Sequence, residues 1–182
     1  MPDELFDVVD EHDQVIDRLP RAVVHARKLL HRAVHIFVFD DAGRMYVQLR
    51  SATKDEYPNC YTSSCSGHVD AGEDYDTAAI RELREELGLV VEGIVTASAS
   101  LSDASTANTI ERLQKFPAGE NTSWEHTMLY RMQTSSPLQP DPEEIAGGDF
   151  RSLAEIEQDI AKQPARYCPA FKVLLRWYLN NS

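Results

Sequence analysis

The stretch that decides the fold is Gly67-His68-Val69-Asp70-Ala71-Gly72-Glu73-Asp74-Tyr75-Asp76-Thr77-Ala78-Ala79-Ile80-Arg81-Glu82-Leu83-Arg84-Glu85-Glu86-Leu87-Gly88-Leu89. Its second part, 74–87, predicts a helix. Asp74 is a suitable N-cap, and Gly88 stands where a helix ends in glycine. At about 100° per residue, Glu82, Glu85 and Glu86 share roughly 100° of arc, while Ile80, Leu83 and Leu87 form a separate apolar face able to pack on a sheet. Three carboxylates on one stripe repel one another, and a helix that needed only solubility would interleave lysines. Coordination of a hard divalent cation removes the repulsion, because such cations favour carboxylate oxygens. An acidic stripe alone is most often a solvated face. What sets this one apart is the glycine-rich turn placed directly before it.

Working outward, the 182 residues are enough for one domain, expected to span 1–182. Hydrophobic residues at 42% and charged residues at 26% describe a globular chain. A formal charge of −12 argues against a nucleic acid polymer or an anionic membrane surface as partner, since both select a basic face. It does not exclude a small anion, because a bound cation reverses the local sign. Cys60, Cys65 and Cys168 are too few and odd in number for a disulfide framework. With no basic, apolar leader at Met1-Pro2-Asp3-Glu4 and no membrane-length apolar run, a cytoplasmic protein is expected.

Along the chain, Leu5–Val9 and 14–19 predict a hairpin within 4–19, and 20–30 a helix with Pro20 in its first turn. Strands are expected at 33–39, 44–49, 94–101 and 125–133, with 61–69 a strand running into a loop. Residues 102–123 and 137–142 read as loops. Ser152-Leu153-Ala154-Glu155 is a capping box, and two helices are expected within 153–180. Strands and helices mix without regular alternation, which indicates an α+β fold.

Gly67, then Glu73, Arg81-Glu82-Leu83, Glu85-Glu86 and Gly88-Leu89 resemble the signature of the Nudix hydrolase superfamily at every specified position. The resemblance implies the Nudix fold, a mixed β-sheet sandwiched between α-helices, and cleavage of a small organic or nucleoside diphosphate with Mg²⁺ or Mn²⁺. By position, Glu82, Glu85 and Glu86 would be metal ligands, together with the Gly67 carbonyl. Arg81 and Glu73 would tie the loop to the helix, since an arginine fork orients a carboxylate through two bonds. Glu85 and Glu86, with Glu125 as candidate general base, would be the catalytic carboxylates. His68 is a candidate for substrate or a second metal.

Beyond the signature, roughly 5–177 resembles type I isopentenyl-diphosphate isomerase and the small bacterial hydrolases related to it. The isomerase needs Cys-Gly-His at the start of the signature and an outer metal site of histidines and two glutamates. Here the triplet is Ser66-Gly67-His68, and Cys65 lies one residue early, on the other face of a strand. His31, His68 and Glu125 match the outer site, Ser123 replaces its second glutamate, and His25 falls about one residue out of place. The complete glutamate stripe is what the isomerase does not keep, so hydrolase is the expected activity and isomerase the alternative. His31 and His35 are expected as core or surface histidines, Cys65 as a small buried hydrophobe, and Tyr57 and Trp124 as core or stacking aromatics. The attached organic group would be chosen by loops such as 102–123, and a homodimer is left open.

Overall fold

The computed structural model describes residues 4–96 and 108–181. Strands β1 (Leu5–Val9) and β2 (Val15–Pro20) form the expected hairpin as a separate two-stranded sheet, followed by helix α1 (Arg21–Ala26). The main sheet contains β3 (His31–Phe39), β4 (Met45–Arg50), β5 (Tyr61–Thr62), β6 (Cys65–His68), β7 (Gly93–Thr96), β8 (Thr109–Phe116), β9 (Glu125–Gln133) and β10 (Ile145–Arg151). Helix α2 (Tyr75–Leu87) lies between β6 and β7, and α3 (Leu153–Lys162) and α4 (Pro169–Asn181) close the chain.

The strand order is β10-β4-β3-β9-β8-β7, with β3–β9 and β7–β8 parallel and the other pairs antiparallel. Strands β3 and β4 touch only at Phe39 and Met45, then separate like a fork. Strand β6 fills the gap along β3, and β5 lies along β4. At the fork, the buried Ser64 Oγ donates to the Tyr46 carbonyl at 2.5 Å and accepts from the Val38 N–H at 2.8 Å. One hydroxyl thereby satisfies two backbone groups that the separating strands leave without each other.

Side chains alternate across β3. Val34, Ile36 and Val38 join Cys65, Met128 and Tyr130 beneath Ala78, Ala79, Leu83 and Leu87 of α2. Phe37 and Phe39 join Met45, Val47 and Leu129 against Ile156, Phe171, Leu174 and Tyr178 of α3 and α4. Both faces of the sheet are covered, which is why the centre of β3 is apolar at successive positions rather than alternating. The result is the Nudix-type α+β sandwich that the signature implied.

Several boundaries differ from expectation. Helix α1 has six residues and stops before Lys28, which is left-handed at φ 52°; Pro20 is its N-cap rather than a first-turn residue. The expected loop 102–123 contains strand β8 and a 3-10 turn at Glu120–Thr122. Strand β10 was not expected at all. The expected strand 94–101 is present as β7 over Gly93–Thr96, and its remainder lies outside the described residues. None of the helices of the described residues is long and apolar enough to cross a membrane.

Candidate active site

Helix α2 is capped as its sequence suggests, with Asp74 accepting from the Thr77 N–H at 2.8 Å and Gly88 left-handed at φ 66°. Arg81 ties it to the preceding turn. Its Nε and Nη2 fork onto Glu73 at 3.1 and 2.9 Å, and Nη2 also donates to the His68 carbonyl at 3.0 Å. Its Nη1 reaches Glu82 Oε1 at 2.6 Å and Glu85 Oε2 at 3.3 Å. The two residues expected to hold the loop to the helix are therefore in contact.

Glu82 and Glu86 turn inward and Glu85 outward, the last with 52% of its side chain exposed. Glu86 Oε2 accepts from Gln48 Nε2 and from the Ser66 N–H, each at 3.2 Å. Glu82 lies over Gly67 so closely that a Cβ there would stand 2.1 Å from its carboxyl carbon. Burial, then the charge of Glu86, pushes the Glu82 carboxyl up to about 8. Burial also raises Glu86, against the opposing Ser66 N–H and the Lys54 charge. Two carboxylates that resist ionising together, offering only hard oxygens beside a backbone too close to carry a side chain, fit a small divalent cation such as Mg²⁺ or Mn²⁺.

A second cluster stands at the other side of Gly67-His68. The ligand nitrogens of His25, His31 and His68 lie within 4.8 Å of one another. Register gathers part of this group: His31 pairs with Glu125 across β3 and β9, and Ala33 with His68 across β3 and β6. Glu125 Oε1 is 3.2 Å from His68 Nε2 and 3.6 Å from His31 Nε2. His31 Nδ1 is occupied by the Leu29 carbonyl at 2.9 Å, leaving Nε2 toward the cluster. Among the described residues, the buried His25 Nε2 and His31 Nε2 lack a hydrogen-bond partner. Such orphaned nitrogens suit a metal ligand set of three imidazoles, with the Glu125 carboxylate against two of them. The Phe6 ring covers this group, stacking on His31 at 5.5 Å.

Electrostatics agree with that reading. Burial disfavours charge on Glu125, yet His31 and His68 overcome it and hold the carboxyl well below the usual range. Burial, then the neighbouring His68 and His31, pushes His25 down to about 4. His25 was expected about one residue out of place. It nevertheless reaches the cluster from α1, whose end is a left-handed turn at Lys28, with the Lys28 N–H bonding the His25 carbonyl and the Leu29 N–H the Val24 carbonyl. His31, expected as an ordinary core or surface histidine, is buried but belongs to this cluster.

The glutamates of α2, with His68 and Glu125 of the second cluster, line one cavity of about 610 Å³. Its walls include the basic residues Arg21, Arg50 and Lys54, which sequence reasoning did not single out, although Arg50 ends strand β4 and Lys54 lies in the loop after it. They also include the acidic loop Asp141, Glu143 and Glu144, where Glu144 pairs with Lys54. Ser66 faces the cavity and Cys65 the α2 core, as strand alternation requires. Burial, then the Glu86 charge, holds the Cys65 thiol far above its ordinary value. Tyr57 lines the cavity, whereas Trp124 lies under Lys28, its ring 6.0 Å from Nζ.

The NUDIX domain model matches residues 29–171. The chain belongs to the Nudix family. This Nudix chain is 36% identical over 157 residues to a Nudix hydrolase of Streptomyces coelicolor, covering 85% of this chain and 78% of that one. It is 33% identical over 170 residues to the isopentenyl-diphosphate Delta-isomerase of Nocardia farcinica, covering 93% and 89%. The crystal structure of a Nudix protein from Deinococcus radiodurans superposes with a TM-score of 0.68 at 26% identity, over 91% of this chain and 99% of that one. Identity to the hydrolase and to the isomerase is nearly equal, so the choice between these activities falls to the site residues of this Nudix protein.

Proposed function

We propose that this Nudix protein hydrolyses a diphosphate linkage in a small organic or nucleoside diphosphate, using Mg²⁺ or Mn²⁺ held by Glu82, Glu85, Glu86 and the Gly67 carbonyl. The observation that carries the reading is the inward Glu82–Glu86 pair packed on Gly67. A cation bound there supplies polarisation of the diphosphate. Arg81 holds Glu82 and the Gly67–His68 turn in place, so the ligand oxygens are set before substrate arrives. Arg50 and Lys54 line the cavity and meet phosphate oxygens. Glu85, at the cavity wall and half in solvent, takes the proton of the attacking water. Glu125 is a poor acceptor because its proton affinity is held so low, and it serves instead with His68, His31 and His25 as a second cation position.

That histidine cluster, beside the similarity to an isomerase, favours isomerisation of isopentenyl diphosphate. Among the described residues, the position where the isomerase has its cysteine holds Ser66. A serine hydroxyl at Ser66 is far weaker than a thiol, which titrates near roughly 8.5 when unperturbed. The Cys65 thiol is buried on the opposite face of β6, where its pKa is raised further.

The test is a diphosphate panel with Mg²⁺ and Mn²⁺, read as released phosphate or monophosphate, with isopentenyl diphosphate in heavy water as one arm. Metal-dependent cleavage that drops by orders of magnitude in Glu86→Gln at saturating substrate is the expected result. Full activity in that variant, or robust deuterium exchange into isopentenyl diphosphate without hydrolysis of any substrate, overturns the proposal.

A further inference from the structure

Glu86 is held by more than its own helix. Its side chain reaches from α2 into the fork of the sheet, where β3 and β4 have parted. Gln48 is on the β4 arm, 1% exposed, and pairs with Thr62 of β5. Ser66 is on the β6 arm, paired with His35 of β3. Because the arms do not pair with each other, the Ser66 N–H on the open side of β6 has no strand to meet. It meets Glu86 Oε2 instead, at 3.2 Å, and Gln48 Nε2 donates to the same oxygen at 3.2 Å. On Glu82 the pattern repeats with one donor: Arg81 Nη1 occupies Oε1 at 2.6 Å. Each inward carboxylate is thus left with one oxygen free of these donors.

We infer that Gln48 is a positioning residue of the metal site, acting with the Ser66 N–H to hold Glu86 Oε2 and so to orient the Glu86 carboxylate for a cation. The inference rests on the metal-site reading above and adds to it. A buried glutamine that only satisfied its own amide would have no effect on cation affinity, whereas outer donors that orient a ligand typically change affinity by about 10–100-fold.

The experiment measures Mn²⁺ binding to the full chain without substrate, by electron paramagnetic resonance, alongside the melting temperature of the metal-free protein. Glu86→Gln defines the component of Mn²⁺ binding that belongs to this site. Gln48→Leu, of similar volume and without a donor, is expected to weaken that component by about tenfold while kcat falls and KM changes little. Gln48→Met, likewise long and without a donor, is expected to weaken it to a similar degree. Wild-type affinity in a folded Gln48→Leu protein overturns the inference. Should Gln48→Leu fail to fold, Gln48→Met decides: wild-type affinity in that variant counts against the donor role. Mn²⁺ binding and hydrolysis that survive intact in Glu86→Gln would instead remove the metal-site reading itself, and the inference with it.

Discussion

At Gly67 one added carbon would stand 2.1 Å from the carboxyl carbon of Glu82, and that carboxylate is already fixed by Arg81 Nη1 at 2.6 Å. Gly67→Ala should therefore displace the ligand rather than the backbone. The variant is expected to fold, melt close to wild type, and bind Mn²⁺ at least about tenfold more weakly by calorimetry; undiminished affinity would count against the cradle. His35 makes a separate prediction. Burial pushes its imidazole down to about 4, and its Nδ1 is bonded to Ser63 Oγ at 2.7 Å. Between pH 6.5 and 4 the unfolded chain binds a proton that the folded chain refuses. The contribution of His35 is thus complete above pH 6.5 and lost as pH falls toward 4, amounting to roughly 3 kcal/mol. His25 acts in the same window. Urea unfolding at pH 7 and pH 5 should show a smaller loss of stability in His35→Gln than in wild type. The glutamates of α2 were legible because helical periodicity and the spacing to Gly67 are local. His31 and His25 were reached only through the family resemblance and Gln48 not at all, because the register of β3 with β6 and β9 and the fork beside β4 are not local in sequence.

Helix α2 carries the opposite pH dependence. Glu82 is raised from 4.5 to about 8, so the folded chain retains a proton that the unfolded chain has lost. Its stabilisation is present below pH 4.5 and disappears as pH rises through about 8. A cation at the stripe favours the ionised form and offsets that loss. The gain in melting temperature from millimolar Mg²⁺ over EDTA should be small at pH 5 and grow steadily to pH 8, and Glu82→Gln should remove the trend; a gain independent of pH in wild type would sink this account. Other elements were harder to read. In β8 the polar Glu111, Arg112, Gln114 and Lys115 outnumber the apolar residues, and a register shift between Arg112 and Gln114 breaks the alternation that marks a strand. In β10 the pair Gly147-Gly148 lowers strand propensity. Gly148 is required because a Cβ there would lie 2.4 Å from the hydroxyl of Tyr46, whose side chain crosses from β4.

For the molecule as a whole, the signature located the sandwich before any strand pairing was visible, through the family resemblance that it carries. It could not show that the sheet divides. The division depends on Ser64, one of several small polar residues before β6, whose hydroxyl bridges β3 and β4 where their own ladder stops. The same division lets carboxylates from α2 reach inward between strands, and so places the cavity within the sheet's edge-to-edge gap rather than on its surface.

The walls of that cavity also bear on the order of binding. Acidic residues outnumber Arg21, Arg50, Lys54 and Arg81 around it, on a chain of net charge −12. A bare diphosphate therefore approaches against its own sign, and the cation must either precede it or travel with it. Added monovalent salt screens repulsion as well as attraction. At low free Mg²⁺, kcat/KM should rise as KCl is added, the reverse of the behaviour of a basic pocket that attracts its substrate by long-range charge. As Mg²⁺ approaches saturation the slope should flatten. Stopped assays over a salt series at two fixed Mg²⁺ concentrations would read both limbs, and a fall in kcat/KM with salt at low Mg²⁺ would show that local cations, rather than overall charge, govern the encounter.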